Sequence, residues 1–150
     1  MRAIHHTAII TADIDLSLRF WRDGLGLAQF LDSTFRGDWP TLFGADTDVL
    51  KSIFLGDPDH PESGIVELVQ FAGGQNRPEH PRRDEKPPAG GFFLVSMERD
   101  VDTTLPALEA LGFSDGVRRI SVPAPGGKRV EMAVINAPDG VLVELIGPAA

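Results

Sequence analysis

The stretches GIVELV at residues 64–69 and GVLVELI at residues 140–146 decide the fold of this chain. Each places one glutamate, Glu67 in the first and Glu144 in the second, between a valine and a leucine in an otherwise apolar run. Short apolar runs that are rich in β-branched residues and begin at glycine predict strands. A near-copy of a strand in the other half of the chain indicates an internal repeat, and a repeat determines the architecture.

The two strands close segments that have the same order of predicted elements. In the first half, a strand at 3–11 and a helix at 13–27 are followed by strands at 28–35, 49–56 and 64–72. In the second half, a strand at 92–97 and a helix at 100–113 are followed by strands at 116–124, 128–136 and 140–147. The helices also match, because DID followed by LGL is echoed by DVD followed by LGF. The sequence therefore predicts an α+β protein made of two βαβββ modules.

The segment between the two modules is polar and rich in proline, which is typical of a linker. We expect one domain over residues 1–150, with module 1 at about 1–72, a linker at about 73–90 and module 2 at about 91–150. A chain of 150 residues is long enough for one domain or for two small halves that share one core.

Composition excludes several classes of function. The net charge of -8 argues against nucleic acid or an anionic membrane as partner and favours a neutral or cationic small molecule. The absence of cysteine excludes disulfides, thiolate zinc sites and cysteine nucleophiles. No apolar run is long enough to cross a bilayer, and the first residues lack the features of a signal peptide, so we expect a cytoplasmic protein.

The two modules also carry the motifs of a known family. An HHTAI first strand, a D-x-D-x-S-L-x-F-W helix that ends in LGL, and a V-E-L strand at the end of each half are present. With these motifs the chain resembles the vicinal oxygen chelate superfamily, which includes glyoxalase I, methylmalonyl-CoA epimerase, extradiol dioxygenases and bleomycin-type resistance proteins. The resemblance implies two modules whose curved sheets enclose one cavity, commonly in a homodimer.

The resemblance also implies a set of metal ligands. In the glyoxalase-like members, the first and last strands of both modules each supply one ligand. These places fall on His6 in the first strand, on Glu67 and on Glu144. One imidazole and two carboxylates suit a divalent ion of Fe, Mn, Co, Ni or Zn and leave positions open for water or substrate oxygens.

The residues themselves give a partly independent argument for the two glutamates. A carboxylate inside an apolar strand is costly unless it is paired or bound to an ion. A single such glutamate often lies on the wet face of a half-exposed sheet. Two of them, Glu67 and Glu144, at equivalent places of a repeat favour a shared inward site.

The chain departs from the family pattern at the fourth ligand, where GGFFLVSM replaces a strand with histidine. Alignment by the apolar face of the strand puts Phe92 at that place, and alignment by the DVD motif puts Phe93 there. Three alternatives stay open. The trio holds a metal, alone or with a ligand such as His80 or Glu98; the carboxylates act as a metal-free acid and base while a phenylalanine stacks on the ligand; or the cavity only binds a compound.

Other residues have two interpretations each. Alternation along a strand would turn His5 away from the face of His6, either to the outer face of the strand or to a dimer contact. Trp39, with its neighbour Phe43, lies between strands and either covers a pocket or packs against the surface. Glu131 alternates with apolar residues and is a candidate base if it points inward. Arg82 and Arg83 either meet a substrate anion or are solvated.

The function predicted from these observations is that of a glyoxalase- or epimerase-type enzyme, a lyase or isomerase. It would move a proton next to the carbonyl group of a small-molecule substrate with the assistance of a divalent metal. Glu67 and Glu144 are the expected catalytic carboxylates, and Phe92 and Trp39 the expected substrate contacts. The alternatives are a drug-sequestering binding protein without catalysis and a metal-free lyase or isomerase.

Overall fold

A computed structural model describes residues 3–73 and 90–148 of the chain. The chain divides into two compact units, Met1–Glu79 and His80–Ala150, which we call unit 1 and unit 2. Each unit contains one four-stranded sheet and at least one helix in the order βαβββ. The α+β fold of two repeated modules that the sequence predicted is therefore confirmed. The predicted linker lies almost wholly outside the described residues.

Over residues 3–73, unit 1 contains four strands and three helical segments. The strands are β1 His6–Ile10, β2 Ala28–Arg36, β3 Val49–Gly56 and β4 Ile65–Phe71, and the helices are α1 Ile14–Leu18, a π-helical segment Arg19–Gly24 and α2 Trp39–Phe43. In the sheet the order is β1-β4-β3-β2, with β1 parallel to β4 and the other pairs antiparallel. The first and last strands of the module thus lie side by side.

The core of unit 1 lies on one face of this sheet, where α1 contacts β4. The side chains of Ile53, Leu55 and Leu68 from the sheet are almost completely buried, as are Phe20 and Trp21 from the helical segment. Because side chains alternate along a strand, burial of this face leaves the opposite face of each strand for other contacts.

The first predicted helix is interrupted. The sequence predicts one helix over 13–27, but the α-helical part ends at Leu18 and a π-helical turn follows, in which the amide of Leu25 donates to the carbonyl of Phe20. A π-turn rotates the chain less per residue than an α-turn. The adjacent residues Phe20 and Trp21 therefore both face the core, with an exposure of 0% each.

The segment around Trp39, expected as a loop, contains the short helix α2. The side chain of Asp38 accepts a hydrogen bond from the amide of Thr41 and so caps the N-terminus. Gly44 ends the helix with a φ of 69°. This left-handed backbone conformation has little steric cost for glycine, which has no Cβ atom. Capping at both ends stabilises a helix that the apolar periodicity of the sequence does not predict.

Unit 2 repeats this plan with one main helix. Its elements are β5 Val95–Glu98, α3 Val101–Ala110, β6 Arg118–Pro123, β7 Arg129–Asn136 and β8 Leu142–Ile146. The sheet order is β5-β8-β7-β6, again with a parallel pair of first and last strands. The α3 helix contacts β7. Within the described ranges, no helix has the length and apolarity needed to span a membrane.

Glu131 is a half-buried residue of unit 2 whose carboxylate contacts a basic residue. The guanidinium group of Arg119 contacts Glu131 Oε2 at 2.9 Å and Asp102 Oδ1 on α3 at 2.7 Å. Side chains alternate along β7, so Glu131 shares a face with the buried Ala133, and Val134 lies on the opposite face. Val134 is the cross-strand partner of Glu144 and shares its face. Glu131 therefore faces away from Glu144, and the interpretation of an inward base at Glu131 is wrong.

The Glu131 contacts predict a pH-dependent contribution to stability. Hydrogen bonds from Ser121 and Arg119 lower the pKa of Glu131. A carboxyl group with a lowered pKa in the folded state stabilises the fold above its ordinary pKa and loses this effect as the pH falls through the folded value. We expect Glu131→Gln to unfold at a lower urea concentration than wild type near neutral pH, and the difference to shrink in acid. A difference that grows in acid would contradict this assignment.

Candidate functional site

Glu67 lies on the face of the unit 1 sheet that the helix does not cover. In the pairing register it is opposite Ala8 of β1 and Phe54 of β3. Residues in register share a face of the sheet, and so do residues two positions apart along one strand. His6 is two positions before Ala8, and Ser52 is two positions before Phe54. The register therefore brings His6, Ser52 and Glu67 to one place.

Both carboxylate oxygens of Glu67 have a partner at this place. The hydroxyl group of Ser52 donates to Oε1 at 2.6 Å, and Nε2 of His6 lies 3.2 Å from Oε2. The Glu67 side chain is 11% exposed and that of His6 is 40% exposed. Ser52 is itself buried. A nearly buried carboxylate with two fixed partners has a defined orientation.

His5 contacts His6, contrary to the expectation from strand alternation. Their Nδ1 atoms are 2.8 Å apart, so that one ring donates a hydrogen bond and the other accepts it. Both rings also contact Phe54, on which the His6 ring stacks at a centroid distance of 5.8 Å. The alternation rule does not apply to His5 because β1 begins only at His6. His5 is therefore a neighbour of the site.

A cavity of about 550 Å³ opens beside His6 and Glu67. It is lined mostly by apolar side chains and by a turn that follows α2. The lining residues are His6, Ala8, Ile10, Phe43, Gly44, Ala45, Asp46, Thr47, Leu50, Glu67, Val69, Phe71, Ala72 and Gly73. A volume of this size, with an apolar lining and a few polar groups, is typical of a small-molecule site.

The aromatic side of this cavity is formed by Phe43 and Phe71. Their rings meet nearly perpendicularly at a centroid distance of 6.2 Å. Trp39, the predicted substrate contact, does not line the cavity. It stacks on Phe43 at 5.8 Å and so supports the ring that does. The structure thus places Trp39 behind the wall and Phe43 in it.

Glu144 occupies the equivalent position in unit 2. Its strand partner is Ser96, as Ala8 is the partner of Glu67, and the hydroxyl group of Ser96 donates to Glu144 Oε1 at 2.8 Å. The residue two positions before Ser96 is Leu94, which therefore corresponds to His6. The alignment that put Phe92 at this place is two residues out of register. The alignment that put Phe93 there is one residue out of register. Phe92 lies before β5 and is 60% exposed.

Known proteins of one family match nearly the whole chain. The model of the Glyoxalase/Bleomycin resistance protein/Dioxygenase superfamily matches residues 3–145. The chain belongs to this superfamily. The match covers both units, so the resemblance that the sequence motifs indicated is confirmed.

Two curated relatives of this chain carry the names of a lyase and an isomerase. A lactoylglutathione lyase-like protein, terB, of Aspergillus terreus is 35% identical over 150 residues, which cover 96% of this chain and 74% of the relative. The 2-epi-5-epi-valiolone epimerase of an Actinomyces species is 29% identical over 123 residues, which cover 81% of this chain and 63% of the epimerase. These names support a lyase or isomerase of the superfamily.

A solved structure supports the fold. The glyoxalase family protein from Bacillus cereus superimposes with a TM-score of 0.69 at 17% identity, over 98% of this chain and 92% of that protein. At this identity the likeness concerns the path of the chain. It agrees with the two-module architecture described above.

Members of the superfamily often use a divalent metal, and the donor set of this chain fits such an ion only in part. Unit 1 offers one imidazole and one carboxylate, and unit 2 has Leu94 where unit 1 has His6. Over residues 3–73 and 90–148, no three side chains of His, Asp or Glu form a group that could hold a metal. Catalytic zinc sites use three protein ligands. The described residues therefore do not by themselves make a complete metal site.

The candidate fourth ligands are not part of the described site. His80 lies outside the described residues, as do Arg82 and Arg83. Glu98 is exposed at the end of β5, where it pairs with Ile146.

Ser52 is a residue that the sequence analysis missed. In VLKSIFLG it is one polar residue in an apolar strand, which is a weak signal by itself. Its role depends on the register of β3 against β4, which brings residues 15 positions apart within hydrogen-bond distance. Phe71 and Asp46 were missed for the same reason, since their contribution to the cavity is a tertiary one.

We expect Ser52→Ala to lower the free energy of unfolding by about 1.5–3 kcal/mol, the range for a buried hydrogen bond to a charged group. The physical reason is that Glu67 loses its Oε1 partner in a place that water does not freely reach. Chemical denaturation measures the change. Ser96→Ala is the matched control, because it removes a hydroxyl donor to Glu144 at an exposed position and should cost less than about 0.5 kcal/mol. Equal losses in both variants would contradict the assignment.

Proposed function

We propose that this chain is a lyase or isomerase that moves a proton at the carbon next to a carbonyl group, with Glu67 as the base. The observation that supports this most is the pairing of the nearly buried Glu67 carboxylate with Ser52 and His6 at the wall of an apolar cavity. A base inside a cavity with low access for water is placed to act on a bound substrate rather than on solvent.

The proposed step uses only groups of this cavity. The Glu67 carboxylate takes a proton from the carbon beside the carbonyl, and the electron pair of that C–H bond moves into an enolate. The protonated carboxyl group then returns the proton. In an epimerisation it goes to the same carbon after the enolate has turned its other face to Glu67. In the isomerisation of an α-hydroxy carbonyl compound it goes to the adjacent carbon, while the hydroxyl proton moves to the former carbonyl oxygen and the new carbonyl group forms. Two of the lone-pair positions of the carboxylate are used by Ser52 and His6, and others stay free for the substrate.

His6 is the proposed donor to the developing enolate oxygen. When His5 donates its Nδ1–H to Nδ1 of His6, the proton of His6 is on Nε2, the atom that lies 3.2 Å from Glu67. In the resting site this N–H faces Oε2 of Glu67. Once Glu67 has taken up the substrate proton, the N–H is available to donate to the enolate oxygen and to stabilise its negative charge. The His5 contact thus favours the tautomer of His6 that the step requires.

The test of this function is proton exchange from solvent. The protein is incubated in D2O with 2-hydroxyacetophenone, with hydroxyacetone and with the hemithioacetal of methylglyoxal and glutathione, and deuterium at the carbon beside the carbonyl is followed by NMR. We expect exchange above the buffer rate for at least one compound. Exchange at the buffer rate with all three compounds would overturn the proposal.

The divalent metal on His6, Glu67 and Glu144 stays a prediction from the sequence, because the described residues do not by themselves form a group that could hold it. When bound, a divalent ion would polarise the carbonyl group of the substrate. The test is calorimetric titration of chelator-treated protein with Zn²⁺, comparing wild type with His6→Ala and Glu144→Gln. Saturable binding that both variants lose supports the trio. Binding that survives Glu144→Gln, or no binding by wild type, overturns it.

The same experiments address capture of a compound without catalysis. The cavity alone would suffice for a binding protein, and saturable binding of a compound that shows no exchange would favour that function over the enzyme. The homodimer implied by the family resemblance and the cytoplasmic location stay predictions, tested by sedimentation and by cell fractionation.

A further inference from the structure

We infer that the unit 1 cavity selects uncharged aromatic carbonyl compounds and discriminates against anionic ones, including glutathione conjugates. This inference rests on the proposed function, since it names the substrate class for the same site. It goes beyond that function because the proton-transfer step itself sets no condition on the charge or the ring of the substrate. Three features of the cavity lining carry it: charge, aromatic surface and size.

The charge of the lining opposes an anion. Among the described residues that line the cavity, the charged or titratable side chains are His6, Asp46 and Glu67. Two of the three are carboxylates, and the third is already engaged with His5 and Glu67. A substrate carboxylate placed here would give up water, and none of the lining residues that the structure describes is a lysine or arginine that could replace it. It would also lie near like charges, which repel it.

The aromatic surface favours a ring. Phe43 lines the cavity and is still 60% exposed, although it contacts both Trp39 and Phe71. A capped helix holds this ring in place, because Asp38 and Gly44 define the two ends of α2. An aromatic ligand that packs on Phe43 would remove apolar surface from water and add a favourable ring contact. The charge of Glu67 and the ring of Phe43 thus face the same cavity from different elements.

The size of the cavity suits a molecule with one or two rings. A volume of about 550 Å³ lies within the range of ordinary small-molecule pockets. A glutathione conjugate is a tripeptide with carboxylate groups, and it would have to extend these groups over the apolar walls. The relative named for lactoylglutathione therefore differs from this chain in the expected substrate.

The test compares a neutral ketone with two anionic ligands, one of which has a similar skeleton. Calorimetry measures the binding of 2-hydroxyacetophenone, which is neutral, of mandelate, which carries a carboxylate on a similar skeleton, and of S-lactoylglutathione. We expect 2-hydroxyacetophenone to bind at least about 10-fold more tightly than mandelate and S-lactoylglutathione. Mandelate or S-lactoylglutathione that binds as tightly as the ketone, or a ketone that does not bind, would overturn the inference.

Two variants and one matched control locate the selectivity. Phe43→Ala should weaken binding of 2-hydroxyacetophenone about 10-fold, whereas Leu42→Ala, on the same helix and 65% exposed outside the cavity lining, should leave it unchanged. Asp46→Lys should strengthen mandelate binding several-fold by adding a cation to the lining. Unchanged binding of the ketone in Phe43→Ala, or of mandelate in Asp46→Lys, would contradict the assigned roles.

The failure of this inference is distinguishable from the failure of the proposed function. Tight binding of the neutral ketone without deuterium exchange would leave the ligand class standing and remove the catalytic proposal. Exchange with the glutathione hemithioacetal alone would support the catalytic proposal and overturn the ligand class.

Discussion

Glu67→Gln is expected to lower the rate of deuterium exchange about 10²–10⁴-fold, the usual contribution of a general base. The amide keeps the shape of the carboxyl group and still accepts the hydrogen bond from Ser52, but it does not take up a proton at neutral pH. The fold should survive, because the substitution removes a charge from a nearly buried position and leaves the apolar contacts of the strand in place. NMR exchange measurements and circular dichroism check both expectations.

Glu62→Gln is the matched control for this prediction. It makes the same chemical change at an exposed glutamate of unit 1 that is not among the described residues lining the cavity. Its exchange rate should equal that of wild type. A Glu67→Gln protein that is folded and exchanges within about 3-fold of the wild-type rate would exclude Glu67 as the base.

Trp21→Ala is expected to lower the free energy of unfolding by about 3–5 kcal/mol, the cost of removing a large aromatic side chain from a core. Trp21 has an exposure of 0%, and its ring meets that of Phe20 nearly perpendicularly at a centroid distance of 5.3 Å. The π-turn places both rings in the core, and the ring of Phe20 is already packed there, so it is not expected to fill the space that the loss of the Trp21 ring leaves. Urea denaturation followed by far-UV circular dichroism measures the loss.

Leu42→Ala provides the comparison for stability as well as for binding. Leu42 is 65% exposed on α2, and surface substitutions of this kind usually change stability by less than about 0.5 kcal/mol. If Trp21→Ala costs no more than about 1 kcal/mol, the packing of the π-helical segment against the sheet is not what stabilises unit 1.

Most of the fold was predictable from residue patterns. The strand predicted at 49–56 was found as Val49–Gly56, and the other seven strands were found with shifts at their ends. Apolar periodicity and glycine positions are local properties, so they report strands and turns without knowledge of the partner strands. The π-turn after Leu18 and the helix α2 were not predicted. The first depends on the core that receives Phe20 and Trp21, and the second depends on its caps.

The candidate site was predictable only in part. His6 and Glu67 were named from the sequence and do contact one another. Ser52, His5 and Phe43 reached their places in the site through contacts that no local pattern encodes. Phe92, chosen by aligning the apolar face of the strand, lies two residues before Leu94, the equivalent of His6, because the sequence offers no measure of register.

The sequence by itself determined the repeat, the two glutamates at equivalent strand positions and the acidic, cysteine-free character of the chain. Only the tertiary structure decided which residues face those glutamates. The physical reason is that side chains alternate along a strand, so that a shift of one residue in pairing exchanges one face for the other. Hydrogen bonds between strands distant in sequence set this register. They bring Ser52 and His6 to Glu67, and leave Leu94 where a second histidine would have been.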